Sequence, residues 1–352
     1  MTDSSSSTGS LPLKAFATIA GAVGFVVIAF VYTAGWLPSH RLTAKEMVRA
    51  LEPPGGPTLG HRRNHAKGIC FTGTFEANGD GAVLSKAQVF ERGQYPVIGR
   101  FNIAGPDPHT PDPMAQVRGL GIRILTPSGQ EWRSAMIDAP VFAAPTPQAF
   151  VAFLNAASSK DPNAFRQYST AHPEILTFID WIKNHPRTES WAETRFNSLD
   201  SFVFVDSSGS GHVVRWSLIP HSPTVAISPA DLAKRDPNFL AEDITTRVGG
   251  SPQRWELVVT IANPGDPTAD PTKLWPVDRR TVDAGTLIVQ QVIPEADGPC
   301  RDINYDPAVL PPGITTSDDP FPAARSAAYR VSYDSRIAES SSYPRTQKGE
   351  KQ

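Results

Sequence analysis

The chain has 352 residues, with 33 basic against 35 acidic side chains, so it has room for one large domain or two ordinary ones at a nearly neutral balance. It carries no long basic run, which argues against nucleic acid as the main partner. Thirty-four prolines predict a core wrapped by irregular connections, and two cysteines without a Cys-x-x-Cys motif leave covalent tetrapyrrole attachment and a structural zinc site unsupported. Whether Cys70 and Cys300 pair stays open.

In chain order, a polar stretch (1–12) reads as disordered and is followed by an uncharged apolar run from Ala15 to Leu37. Spanning a membrane needs about 20 apolar residues, so 13–38 is expected to be a single uncleaved transmembrane anchor. A cleaved signal peptide is the rival, with a shorter apolar region and a small-residue cleavage site. Residues 39–57 read as an amphipathic helix capped by Thr43, with Glu46 three residues on, ended by Pro53-Pro54. The main domain is expected over 58–340, with a polar tail at 341–352. Strands are predicted at 69–75, 96–102 and 117–125, the last with a hairpin partner at 131–136. Two or three helices fit 147–184, the first started by Thr146-Pro147. Val214, Trp216 and Leu218 share a strand face, as do Trp255, Leu257, Val259 and Ile261, and Thr286–Ile293 is a further strand. A helix is expected at 229–235. Strands, then helices, then strands predict an α+β fold with a closed or nearly closed antiparallel sheet.

Two segments carry chemistry. Arg62-Arg63-Asn64-His65-Ala66-Lys67-Gly68 aims one imidazole from the mouth of a strand, which a general base requires. The alternative is a surface histidine beside anion-binding arginines. A helix starting at Asp319-Pro320 puts Arg325, Tyr329 and Arg336 in one sector, which is costly to bury without an acidic or metal partner. A solvated arginine face is the alternative there. Arg325, one turn before Tyr329, can favour the phenolate, and an anionic phenolate is a ligand for ferric iron. Planar guanidinium groups suit the two carboxylates of a haem, and Arg62, Arg100 and Arg336 are available.

Six segments in order make the chain similar to the haem catalase superfamily, and to its short catalase-related peroxidases. They are Arg62-x-x-His65-Ala66-Lys67-Gly68, Ser85-Lys86-Ala87-x-Val89-Phe90, Val97-Ile98-x-Arg100-Phe101, Arg118-Gly119, Pro140-Val141-Phe142 and Arg325-x-x-x-Tyr329. The resemblance implies an eight-stranded antiparallel β-barrel with flanking helices and haem b as cofactor. It implies His65 as the distal catalytic histidine and Tyr329 as the iron ligand, with Arg325 beside it. Arg62, Arg100 and Arg336 would bind the propionates, and Phe150 would pack on the distal haem face. The implied activity is a peroxidase using a high-valent iron state, with a peroxide substrate and an unidentified electron donor. No NADPH site is implied, a homo-oligomer is open, and a cell-membrane location with the haem domain outside the cytoplasm is expected.

The family's distal asparagine aligns with Ile137, which predicts weak dismutation of hydrogen peroxide. Asn102 stands where a serine often supports the distal histidine, and Asn64 where a small apolar residue is common. Ile137 and Asp138 should point to opposite sides of their strand. Two other readings of the same barrel are a non-catalytic haem carrier or sensor and an enzyme that rearranges fatty-acid hydroperoxides.

Overall fold

A computed structural model of the chain describes residues 13–33 and 42–346. The N-terminal polar stretch expected to be disordered, the link at 34–41 and the final residues of the tail lie outside the described residues. Helix α1 (Leu13–Thr33) belongs to a unit that ends at Thr43, and everything from Ala44 forms a second unit. The window Ala15–Thr33 is long and apolar enough to cross a membrane, with none of it buried, so α1 is a candidate anchor.

The second unit begins with the short amphipathic helix α2 (Ala44–Leu51), whose Met47 and Val48 are buried. Four strands follow: β1 (Gly68–Ala77), β2 (Gly93–Ile103), β3 (Arg118–Leu125) and β4 (Glu131–Ile137). Three helices come next, α3 (Pro147–Ala157), α4 (Ala164–Ala171) and α5 (Ile175–Asn184). The Thr146 side chain caps α3 by accepting from the Ala149 amide. The chain then returns to strands β5 (Phe196–Asn197), β6 (Phe202–Val205) and β7 (Gly211–Pro220). Helices α6 (Pro229–Leu232) and α7 (Phe239–Gly250) precede β8 (Gln253–Ile261), β9 (Thr281–Pro294), β10 (Ile314–Thr316) and the last helix, α8 (Phe321–Ala338). The helix expected at 229–235 stops at Leu232, because the Lys234 and Arg235 amides turn to carbonyls only three residues back. The strand expected at Thr286–Ile293 is the middle of the longer β9.

The strands pair antiparallel in the ring β1-β2-β3-β4-β5-β7-β8-β9, which closes through β9 on β1. This is the expected eight-stranded barrel, with β6 and β10 added beside β7. Alternation fills it. Trp132 and Met136 from β4, Val214, Trp216 and Leu218 from β7, and Trp255, Leu257 and Val259 from β8 are all buried in the central cluster. Each buried indole among Trp216 and Trp255 finds an acceptor, in Ser134 Oγ at 3.1 Å and the Thr194 carbonyl at 3.0 Å. Cys70 on β1 and Cys300 after β9 are joined in a disulfide, which resolves the pairing left open by the sequence.

Candidate active site

The outer face of β2, β3 and β4 makes the floor of the site. Phe101, Leu120 and Met136 point into the barrel core, so their neighbours point out. Register then lines up Arg100, Gly121 and Ala135 in one row across three strands, and Asn102, Gly119 and Ile137 in the next. A Cβ on Gly119 would lie 2.2 Å from Asn102 Oδ1, and one on Gly121 would lie 2.9 Å from the Tyr305 ring, so both positions need glycine. Helix α8 faces this floor. Between them lies a cavity with about 1310 Å³ free of protein atoms, part of it open to solvent.

His65, Arg62, Arg100, Phe150, Arg325, Tyr329 and Arg336 all line this one cavity, although 274 positions separate the first arginine from the last (336 − 62). His65 has φ 53°, and among the described residues it is the one non-glycine with positive φ. Its Nδ1 lies 2.6 Å from Asn102 Oδ1. An amide oxygen accepts, so Nδ1 carries the proton and Nε2 keeps its lone pair. Burial pushes the imidazole pKa down to about 4; the Asn102 bond resists this, while Arg100, Arg325 and Arg62 reinforce it. At neutral pH His65 is therefore an uncharged base.

On the other wall, Arg325 Nη2 donates to the Tyr329 hydroxyl at 3.4 Å across one helical turn, and Nη1 donates to Asp200. Burial works against the Arg325 charge, but Asp200 and Tyr329 outweigh it and keep the guanidinium protonated. The third group lies at the rim. Arg62 donates to the carbonyls of Cys300 at 2.9 Å and Ile303 at 3.2 Å. Arg336 donates to those of Arg301 and Ile303. Burial lowers both arginine pKa values; Arg100 adds to this at Arg62, and Arg62 with Arg100 adds to it at Arg336, whose value falls to about 9.

Ile137 also lines the cavity, while Asp138 turns away and accepts from the Arg118 amide at 3.0 Å. The two neighbours thus point to opposite sides. Four side-chain amides line the cavity, those of Asn64, Asn102, Asn197 and Asn304, and the contacts of the first three fix their roles. Asn197 spends its nitrogen on the carbonyls of Asp138 and Ala139, and Asn102 holds His65. Asn64 accepts the amides of His65 and Gly105 on Oδ1, which fixes its orientation. Sequence reasoning missed Asn197, Asp200, Glu295 and the α2 residues Met47, Val48 and Leu51, all set by tertiary packing. The cost of burying Arg325 and Arg336 did signal that acids must lie nearby, without saying which.

The class defined by this fold is a β-barrel oxidoreductase, here with a cavity on the outer barrel wall lined by an imidazole and a phenol. The family described as Catalase matches residues 58–343. The chain is 30% identical over 328 residues to a catalase-related peroxidase of Synechococcus elongatus, covering 92% of this chain and 95% of that one. It is 29% identical over 297 residues to a catalase-related peroxidase of Mycolicibacterium paratuberculosis, covering 84% and 95%. To a catalase of Pseudomonas aeruginosa it is 25% identical over 316 residues, covering 84% of this chain and 61% of the other. The chain belongs to the catalase family of haem oxidoreductases. Its residues suit that cofactor: an apolar lining, arginines at the rim, and a phenol facing the same space as an imidazole.

Proposed function

We propose that the chain is a haem b peroxidase that reduces hydrogen peroxide or organic hydroperoxides with electrons from a separate donor, and dismutates hydrogen peroxide slowly. The observation that carries this reading is that one cavity is lined by a neutral, oriented histidine and by a tyrosine backed by an arginine. Bound haem would supply the redox chemistry of O–O cleavage. Tyr329 would hold the iron as phenolate, with Arg325 donating to its oxygen and favouring the charged form. Arg62, Arg100 and Arg336 put positive charge where the two propionates would lie, and Phe150 packs beside the distal space. His65 Nε2 takes the proton from one peroxide oxygen and returns it to the other, while Asn102 keeps Nδ1–H pointed away.

Slow dismutation follows from Ile137. Its apolar side chain gives no hydrogen bond to a bound peroxide, and the nearby Asn197 amide already donates to backbone. Losing one such donor costs a bound polar ligand about 1–3 kcal/mol. Met47, Val48, Phe142 and Leu199 make much of the remaining surface apolar, which favours organic hydroperoxides over hydrogen peroxide. Helix α1 would anchor the enzyme in the cell membrane. The Cys70–Cys300 disulfide favours a haem domain outside the cytoplasm, since such bonds persist in oxidising compartments.

The test is to load the full chain with haem in detergent and follow both dye oxidation and oxygen release with hydrogen peroxide, tert-butyl hydroperoxide and cumene hydroperoxide. Dye oxidation well above free haemin, with slow oxygen release, is expected. Rapid oxygen release from hydrogen peroxide would defeat the reading.

A further inference from the structure

Glu295, the residue directly after β9, is buried at 9% exposure and stands among the cavity arginines. Arg100 Nε donates to its Oε1 at 2.7 Å and Arg100 Nη2 to its Oε2 at 2.7 Å, a bidentate pair. Burial raises the Glu295 pKa, but Arg100, then Arg62 and Arg336, outweigh it, so the carboxylate is charged. Arg100 then turns its remaining donors to the turn that carries the base. Nη1 donates to the His65 carbonyl at 2.8 Å, and Nη2 to that of Ala66 at 3.0 Å. A guanidinium has five N–H groups, and these four bonds leave Arg100 with one.

Two further features fit the same purpose. Gly68 has no side chain, and a Cβ there would lie 2.6 Å from Arg100 Cζ, so glycine makes the space through which the guanidinium reaches those carbonyls. Ile69 pairs with Pro294 across the sheet, which brings Glu295 beside the mouth of β1. The His65 turn is left-handed and costly for a residue with a side chain, so it persists only where its surroundings hold it. Arg62 and Arg336 differ. They donate to carbonyls of the 300–303 segment and make no bond to the His65 turn.

We propose that Glu295 and Arg100 are a positioning pair for His65. Glu295 fixes the guanidinium, the guanidinium holds the carbonyls of His65 and Ala66, and the imidazole keeps its aim. This rests on the reading of His65 as the distal base, and it gives Arg100 a positioning role beside the charge it offers the haem carboxylates.

The test uses the full chain with Arg100→Lys, which keeps the charge beside Glu295 but loses the fork, and with Glu295→Gln. In the haem-free protein, amide exchange at Ala66, which donates to Gly105 at 2.9 Å, should speed up about tenfold or more, while Phe71 in β1 stays unchanged. In the haem-loaded protein, cyanide association, in which the distal base takes the proton of hydrogen cyanide, should slow about a hundredfold. Haem loss to an apomyoglobin scavenger should be unchanged in Glu295→Gln. Unaltered Ala66 exchange and cyanide association in both variants would overturn the proposal. If the wild-type chain takes up no haem, the proposed function falls, and the Ala66 exchange still decides whether the pair holds the turn.

Discussion

Tyr329 lies in the middle of an eighteen-residue helix, while His65 lies in a left-handed turn before the first barrel strand, and the two line one cavity. The tyrosine wall is built locally. Arg325 reaches Tyr329 across one turn of α8, and two distant groups, the acid Asp200 and the Ala135 carbonyl of β4, hold that guanidinium. The histidine wall is built from far apart. Asn102 from β2 sets the tautomer, Asn64 and Gly105 shape the turn, and Arg100 with Glu295 holds its carbonyls. A rigid helix can present a ligand by spacing alone, whereas an oriented base in a costly conformation needs a network around it.

The comparison can be broken from the helix side first. Tyr329→Phe removes the phenolate, so the haem-loaded chain should lose its tyrosinate-type absorption spectrum and fall to the peroxidase rate of free haemin. His65→Ala should retain haem and that spectrum, while peroxide-dependent dye oxidation slows by about 10²–10⁴-fold, the usual worth of a positioned base.

Smaller changes sharpen it. Asn102→Leu removes the bond that fixes the tautomer and should slow turnover by about tenfold to a hundredfold, equivalent to a lost hydrogen bond of about 1–3 kcal/mol. Its pH profile gives a second readout. Wild-type His65 stays unprotonated down to about pH 4, so activity should be lost only as pH falls towards that value. Because the Asn102 bond raises the imidazole pKa, the acid limb of the variant should move lower still.

The smallest effect lies behind the tyrosine wall. Burial and the neighbouring Asp200 raise the Asp319 pKa to about 7 from an ordinary value near 3.8. Between those values the folded chain holds a proton that the unfolded chain has released, so this group's contribution to stability is full at low pH and fades as pH rises through 7. Asp319→Asn cannot ionise, and it keeps only one of the two oxygens that accept from the Ser201 and Phe321 amides. Its stability relative to wild type should therefore be higher at pH 8 than at pH 4 by about 1 kcal/mol, as measured by thermal unfolding at both pH values.

What could be read from the residues divides along the same line. The Arg325–Tyr329–Arg336 sector follows from helical periodicity, and the alternation of Trp216 with Val214 and Leu218 marks a barrel strand. The closing order of the eight strands does not follow from any one segment, and rested on resemblance. Glu295 and Asp200 are single acids in unremarkable sequence, and nothing local separates them from solvated ones. Asn102 was noted as a departure from the family, but its bond to His65 depends on the β1–β2 register and on glycine at 119. The Cys70–Cys300 bond depends on two segments 230 residues apart meeting beside β1.

That same covalent tie bears on how the molecule is made. Cys70 leaves the ribosome early and Cys300 only when most of the chain has been synthesised, so the first strand must wait for its partner to arrive. Closure is thus confined to the end of synthesis, and it ties down the 300–303 segment whose carbonyls grip Arg62 and Arg336. An oxidase acting on the nearly finished chain would therefore also govern when the segment that grips Arg62 and Arg336 is fixed in place.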